Sequence, residues 1–218
     1  MARLKLGVLI SGRGSNLQAL IDAAADPAFP AEIALVLSNK ADAYGLERAA
    51  QAGIATAVVS HRDFAQDKAA FEAALDARLR AAGVELVCLA GFMRILSPWF
   101  VRSWHDRLIN IHPSLLPSFK GLDTHERALE AGVRVHGCTV HYVRPEMDVG
   151  PIIVQAAVPV LADDDSHSLA DRVLAAEHRI YPLAVRLIAE GRVRVADERV
   201  RIEGHVPDGA AALINPTP

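Results

Sequence analysis

Continuous apolar runs alternate with segments of helical period along the first half of the chain. That alternation predicts a mostly parallel sheet covered on both faces. The runs at residues 4–10, 33–37, 55–59, 86–90 and 107–111 read as five strands rich in Val, Ile and Leu. Between them, residues 16–25 put Leu17, Leu20, Ile21 and Ala24 on one helical side, and residues 43–51 form a helix stopped at Gly53. A longer helix is expected over 64–82, with Phe71, Leu75 and Leu79 on one side and Gly83 closing it. After Asp123 the texture changes to a short helix at 124–131 and two longer β runs, 137–143 and 152–160, joined by a turn over 144–151. A helix over about 166–190 and two strand-like pieces at 193–196 and 199–202 precede a Gly/Ala/Pro-rich tail that reads as frayed. The expectation is one doubly wound α/β domain over residues 1–195, with a C-terminal strand and flexible tail over 196–218.

Composition narrows the partners. The chain has 218 residues, 51% hydrophobic and 22% charged, enough for a real core. A formal net charge of −3 with both signs interspersed lacks the basic stripe of a nucleic-acid or anionic-membrane surface, so neither partner is expected. The apolar run at 4–10 gives way at once to Ser-Gly-Arg-Gly, as in a buried strand and unlike a signal peptide or membrane span; the expected compartment is the cytoplasm. Cys88 and Cys138 lie in strand-like settings and read as buried free thiols.

Ser11-Gly-Arg-Gly-Ser-Asn16 sits between the first strand and a helix, where backbone N–H groups and the helix dipole favour a phosphate. Gly-x-Gly also occurs in tight turns that bind nothing. A dinucleotide fingerprint would need a glycine where Leu17 stands and an acid where Ser38-Asn39-Lys40 ends the second strand. A single phosphate monoester suits the loop better.

The segment Arg107-Leu-Ile-Asn-Ile-His-Pro-Ser-Leu-Leu-Pro-Ser118 delivers Asn110 and His112 two apart on an extended chain, hence to one side. Pro113 and Pro117 end the strand and stiffen the loop. Pro-Glu-Met-Asp148-Val-Gly-Pro returns a carboxylate on a turn. Asn can donate to a developing oxyanion, His can move a proton, and Asp can orient the His and favour its imidazolium. On the residues alone, turn formation accounts for all three equally well.

Six ordered blocks carry a resemblance: Val8–Leu20, Leu37–Leu46, Leu89–Pro98, Asn110–Pro117, Met147–Pro151 and Glu177-His-Arg-Ile-Tyr-Pro182. Together they are similar to the phosphoribosylglycinamide formyltransferases, a Rossmann-like family that takes a formyl group from 10-formyltetrahydrofolate. The resemblance implies Asn110, His112 and Asp148 as catalytic residues. It implies Gly14, Ser15 and Asn16 for the 5′-phosphate and Glu177 for the ribose hydroxyls of the ribonucleotide. For the folate it implies Met93, Arg94, Ile95 and Leu96 after the fourth strand, the loop from Arg144 to Met147, and Lys68 near the folate tail. Arg144-Pro145 stands where relatives often carry Thr-Asp, which leaves backbone contacts there easier to carry over than side-chain ones. The expected partners are therefore two small molecules, the ribonucleotide and the formyl-folate, the latter as co-substrate.

No metal is expected, because nine His and two Cys show no ligand spacing. His136 and His141, five apart in a strand, should face opposite sides; His61, His105 and His205 should be solvated near turns; His125 lies in the loop following the active segment, and the sequence leaves open whether it touches the site. Two other formyl-folate enzymes share such a trio. A methionyl-tRNA formyltransferase should add a basic C-terminal domain, and a formyltetrahydrofolate hydrolase an N-terminal regulatory one. Neither needs the glycine loop. A non-catalytic folate- or nucleotide-binding protein would not need the trio.

Overall fold

The structure is a computed structural model that describes residues 2–65 and 67–204. Strands β1 (Leu4–Ile10), β2 (Ala31–Ser38), β3 (Thr56–Val58), β4 (Leu86–Leu89) and β5 (Leu108–His112) are joined in parallel, while β6 (Val135–Tyr142) and β7 (Ile152–Pro159) continue the sheet antiparallel. The strand order is β3-β2-β1-β4-β5-β6-β7. The order therefore reverses between β1 and β4, the place where open α/β sheets leave a crevice beyond their carboxyl ends.

Alternation along β1 explains the two cores. Leu6, Val8 and Ile10 face α1 (Ser15–Ala24), α2 (Tyr44–Gln51), α5 (Thr124–Glu130) and α6 (Ser166–Ala189). Leu9 faces the other way, against Phe71, Leu75 and Leu79 of α3 (Lys68–Ala81) and Phe100 and Val101 of α4 (Pro98–Ser103). Helix α6 is opened by a capping box between Asp165 and Ser168 and anchored at mid-length, where the Tyr181 hydroxyl donates to the Leu89 carbonyl at 2.9 Å. A separate antiparallel pair, β8 (Val193–Ala196) and β9 (Arg199–Ile202), follows α6. Residues 205–218, most of the tail expected to be flexible, and with them His205, lie outside the described residues.

Two elements differ from expectation. The third helix starts at Lys68 and not at 64, because His61–Phe64 forms a 3₁₀ turn capped by Ser60 and ended by Ala65 at φ 45°. The Asp67 carboxylate then accepts from the Ala70 N–H and starts the α-helix proper. Helix α4 was not anticipated; Ser97 accepts from the Phe100 N–H and Pro98 occupies the first turn. Smaller shifts bring Val135 and His112 into strands.

Candidate functional site

Four chain segments meet at the carboxyl ends of β1, β4 and β5. The first is the glycine loop. Gly14 adopts φ 71°, ψ 33° at the start of α1, and a Cβ there would lie 2.7 Å from Gly45 Cα. Only glycine meets both demands. Its loop lines a cleft between β1 and β4, formed by Ser11 to Asn16 on one side and Ala90, Gly91 and Met93 on the other. Ser15 and Asn16, in the first turn of α1, line this cleft, where a helix start favours an anion.

The loop is tied to α6. Asn16 Nδ2 donates to Glu177 Oε2 at 2.7 Å, across 161 residues of sequence. Glu177 is 5% exposed, and burial pushes its carboxyl up to about 7 despite the Asn16 bond. Asn16 Oδ1 is buried with no hydrogen-bond partner among the described residues.

The second and third segments are β5 and the turn before β7. His112 Nδ1 lies 3.6 Å from Asp148 Oδ1, and its Nε2 is 3.1 Å from the Phe119 carbonyl. A carbonyl only accepts, so Nε2 carries hydrogen and Nδ1 is left facing the carboxylate. A proton reaching Nδ1 arrives between the imidazole and Asp148. Asp148 sits at φ 51°, with its other oxygen accepting from the Gly121 N–H at 2.7 Å. Two residues on, a Cβ at Gly150 would fall 1.9 Å from the Tyr142 carbonyl oxygen. That glycine lets the turn close tightly enough to return Asp148 to His112.

Asn110 faces His141, its partner in the β5–β6 register; its Nδ2 is 3.4 Å from His141 Nε2. His141 Nδ1 is 3.0 Å from the Tyr142 carbonyl and must donate to it. His141 is 1% exposed, and burial pushes its imidazole down to about 4, so it stays neutral and Nε2 accepts. Asn110 therefore presents its amide nitrogen to His141 and keeps a second N–H for another acceptor. Nothing in the sequence singles out His141 for this contact, because it depends on a cross-strand register. His136, five residues earlier, packs against His125 and Phe119, as the odd separation predicts.

The fourth segment is the loop over 91–97 after β4. Met93 and Ile95 are 65% and 71% exposed, so neither is a core residue; Arg94 is also exposed, while Leu96 is buried. Met147 is exposed near Gly121. Lys68, at the start of α3, pairs at 3.9 Å with the buried Glu72. The Arg144 guanidinium is held by Asp106 at 2.8 Å and Glu198 at 2.6 Å, which ties the turn before Asp148 to the β8–β9 hairpin and commits that side chain.

The other histidines and cysteines resolve simply. His61 is half-buried, its Nδ1 3.5 Å from Asn39 Nδ2 and its ring on Phe71, and is not the solvated residue expected. His105 is exposed beside Asp106. His125 is pushed below its ordinary range by burial and then by the charge of His112, which puts it near the site without a direct bond to it. Cys88 and Cys138 are free and buried, and burial pushes both thiols up to about 12. Among the described residues, no group of three or more His, Cys, Asp or Glu could hold a metal ion, and no helix is long and apolar enough to cross a membrane.

Comparison with known proteins points the same way. The profile of the family described as formyl transferase matches residues 4–185. The phosphoribosylglycinamide formyltransferase of Escherichia coli is 47% identical over 211 residues, 96% of this chain and 99% of that protein. The Bos taurus trifunctional purine biosynthetic protein adenosine-3 is 52% identical over 195 residues; the chain spans only 19% of its length. The crystal structure of glycinamide ribonucleotide transformylase 1 from Symbiobacterium toebii superimposes with a TM-score of 0.89 at 52% identity, covering 92% of this chain and 94% of that one.

Proposed function

The chain belongs to the formyl transferase family, and from that premise we propose that it transfers a formyl group from 10-formyltetrahydrofolate to the primary amine of 5-phosphoribosylglycinamide. What carries the reading is one juxtaposition. A glycine loop suited to a phosphate and an Asn110–His112–Asp148 group suited to acyl transfer share the carboxyl edge of the sheet.

The ribonucleotide phosphate lies on the N–H groups of Gly14, Ser15 and Asn16, and its ribose hydroxyls reach Glu177. The folate pteridine lies against Met93, Arg94, Ile95 and Leu96 and the backbone of residues 144–147, with Lys68 toward its tail. The substrate amine attacks the formyl carbon, forming the new C–N bond while the carbonyl pair moves onto oxygen. The free N–H of Asn110 donates to that oxyanion, an interaction of about 3–4 kcal/mol per donor in comparable sites. His112 and Asp148 accept the proton that the attacking nitrogen must lose and hold it between them. Collapse restores the carbonyl, breaks the bond to N10, and sends a proton to N10 from the same pair. We read residues 1–195 as the domain that does this, acting on small molecules in the cytoplasm.

The test is an absorbance assay of formyl-folate consumption with and without the ribonucleotide. Consumption that requires the ribonucleotide is expected. Equal consumption in its absence would replace transfer with hydrolysis.

A further inference from the structure

The folate-facing loop is tied down at both ends, and one tie starts from the phosphate loop. Ser11, the first residue after β1, is 5% exposed; its Oγ donates to Asn39 Oδ1 at 2.6 Å and accepts the Met93 backbone N–H at 2.8 Å. Those bonds use the hydroxyl's only proton and one lone pair, so its orientation is fixed. Asn39 is 2% exposed, and its amide nitrogen lies 3.5 Å from His61. At the far end of the loop, the Ser97 N–H donates to the fully buried Glu72 at 2.6 Å, and the Ser97 hydroxyl donates to the other carboxylate oxygen. Between the ties, Met93 and Ile95 stand out into solvent.

We propose that Ser11 is a positioning residue for the folate site, fixing the Met93 peptide plane from within the phosphate loop. The inference rests on reading the 91–97 loop as the wall for the pteridine. A flat heterocycle bound through its edge needs peptide groups whose direction is set before it arrives, since each group ordered on binding costs affinity. Apart from Ser11, no described side chain accepts the Met93 N–H. Without it, that N–H turns to water and the loop is held at Ser97 alone. Ser11 opens the phosphate loop by position, but its hydroxyl is committed to Asn39 and Met93, so it acts on the folate side and touches no reacting atom.

Ser11→Ala, which removes the acceptor, and Ser11→Cys, which leaves a weak one, are compared with the intact protein by steady-state kinetics. Amide hydrogen exchange of residues 90–97 and thermal melting are followed alongside. The expected result is a folate KM raised about tenfold, matching one hydrogen bond of about 1.4 kcal/mol. The ribonucleotide KM and kcat should stay within threefold, and exchange at Met93 should quicken. A folate KM within twofold of the parent, or a rise shared equally by the two substrates, would overturn the proposal; the second result would make Ser11 a general brace of the β1 end. The cysteine variant keeps the test open should the alanine variant fail to fold. Failure of the parent protein itself to consume both substrates would sink the proposed function instead, so the two failures are distinct.

Discussion

Asn110 and His141 face each other across the β5–β6 pair, amide nitrogen to imidazole nitrogen at 3.4 Å. The neutral histidine accepts, so the amide cannot flip without setting its oxygen against a lone pair. In the proposed mechanism, His141 thereby selects which end of Asn110 meets the substrate. His141→Ala should lower kcat about tenfold, a fraction of the 10²–10³-fold cost of losing an oxyanion donor outright, with both KM values little changed. Single-turnover rates of a folded variant check this. An unchanged rate would mean that another group holds the amide.

His112 and Asp148 should behave as a unit. His112→Ala and Asp148→Asn should each lower kcat by about 10²–10⁴-fold, and the double variant little further, because either change removes the shared proton site. Ribonucleotide binding, measured by calorimetry, should shift less than threefold. Asparagine can keep the contact with the Gly121 N–H, so the Asp148 variant tests proton chemistry more than turn structure.

Glu177 gives a proton-linkage prediction. Burial holds its carboxyl near 7 in the free protein, so a substantial fraction is protonated at neutral pH. In the proposed site, ribose hydroxyls would donate to and stabilise the carboxylate, pulling its pKa down and releasing a proton on binding. Calorimetry in buffers of different ionisation enthalpy should show net release at pH 7. Glu177→Gln should remove the part that the phosphate does not supply. Equal release in the two proteins would detach Glu177 from the ribose.

Much of the fold was legible because buried parallel strands read as unbroken apolar runs and their helices end at glycines such as Gly53 and Gly83. The site was legible where its residues lie close in sequence, as Asn110 and His112 do. What escaped notice depends on tertiary register. His141 matters only because β6 pairs with β5 in one alignment, and Glu72 only because α3 brings a carboxylate beneath Ser97. Helix α4 did leave a trace, the Ser97-Pro98 start signal, but its six residues are too few for a helical period to emerge. At Arg144 the sequence favoured backbone over side-chain contacts, and the guanidinium is indeed occupied by Asp106 and Glu198, pairings that no local pattern signals.

Acid should destabilise the fold over a defined window. Burial holds His136 and His141 down at about 4, against an ordinary 6.5, and lowers His125 and His178 as well. His136 and His141 are neutral in the folded chain between about 4 and 6.5 but charge on unfolding below pH 6.5, and His125 and His178 shift in the same direction. Their contribution is therefore complete above 6.5 and falls away as pH drops toward 4. Glu177 opposes them, since its raised pKa favours the folded state at low pH and loses that advantage as pH climbs from 4.5 to about 7. The shifts of His136 and His141 together exceed that of the one carboxyl, and His125 and His178 add in the same direction, which leaves a net rise in stability from pH 4 to 6.5. Urea midpoints across that range check the sign, and a flat or falling profile would mean that the histidines are hydrated in solution.

Gly14 separates a phosphate site from a mere turn. Any side chain there must accept φ 71° and a Cβ 2.7 Å from Gly45 Cα, so the loop has to shift. A phosphate held by backbone donors is sensitive to such a shift, whereas the loop proposed to face the folate is held by Ser11 and Glu72, neither of which is among the atoms a Gly14 Cβ would meet. Gly14→Ala should raise the ribonucleotide KM at least tenfold and leave the folate KM within twofold; Gly14→Val should do more, since β-branching restricts the backbone further. The parent enzyme should also turn over the dephosphorylated nucleoside far less efficiently than the ribonucleotide, and in Gly14→Ala that preference should shrink. The comparison of kcat/KM for the two acceptors in both proteins is decisive. If the preference for the phosphorylated acceptor survives undiminished in a folded variant, the phosphate is held elsewhere and the glycine loop serves only to turn the chain from β1 into α1.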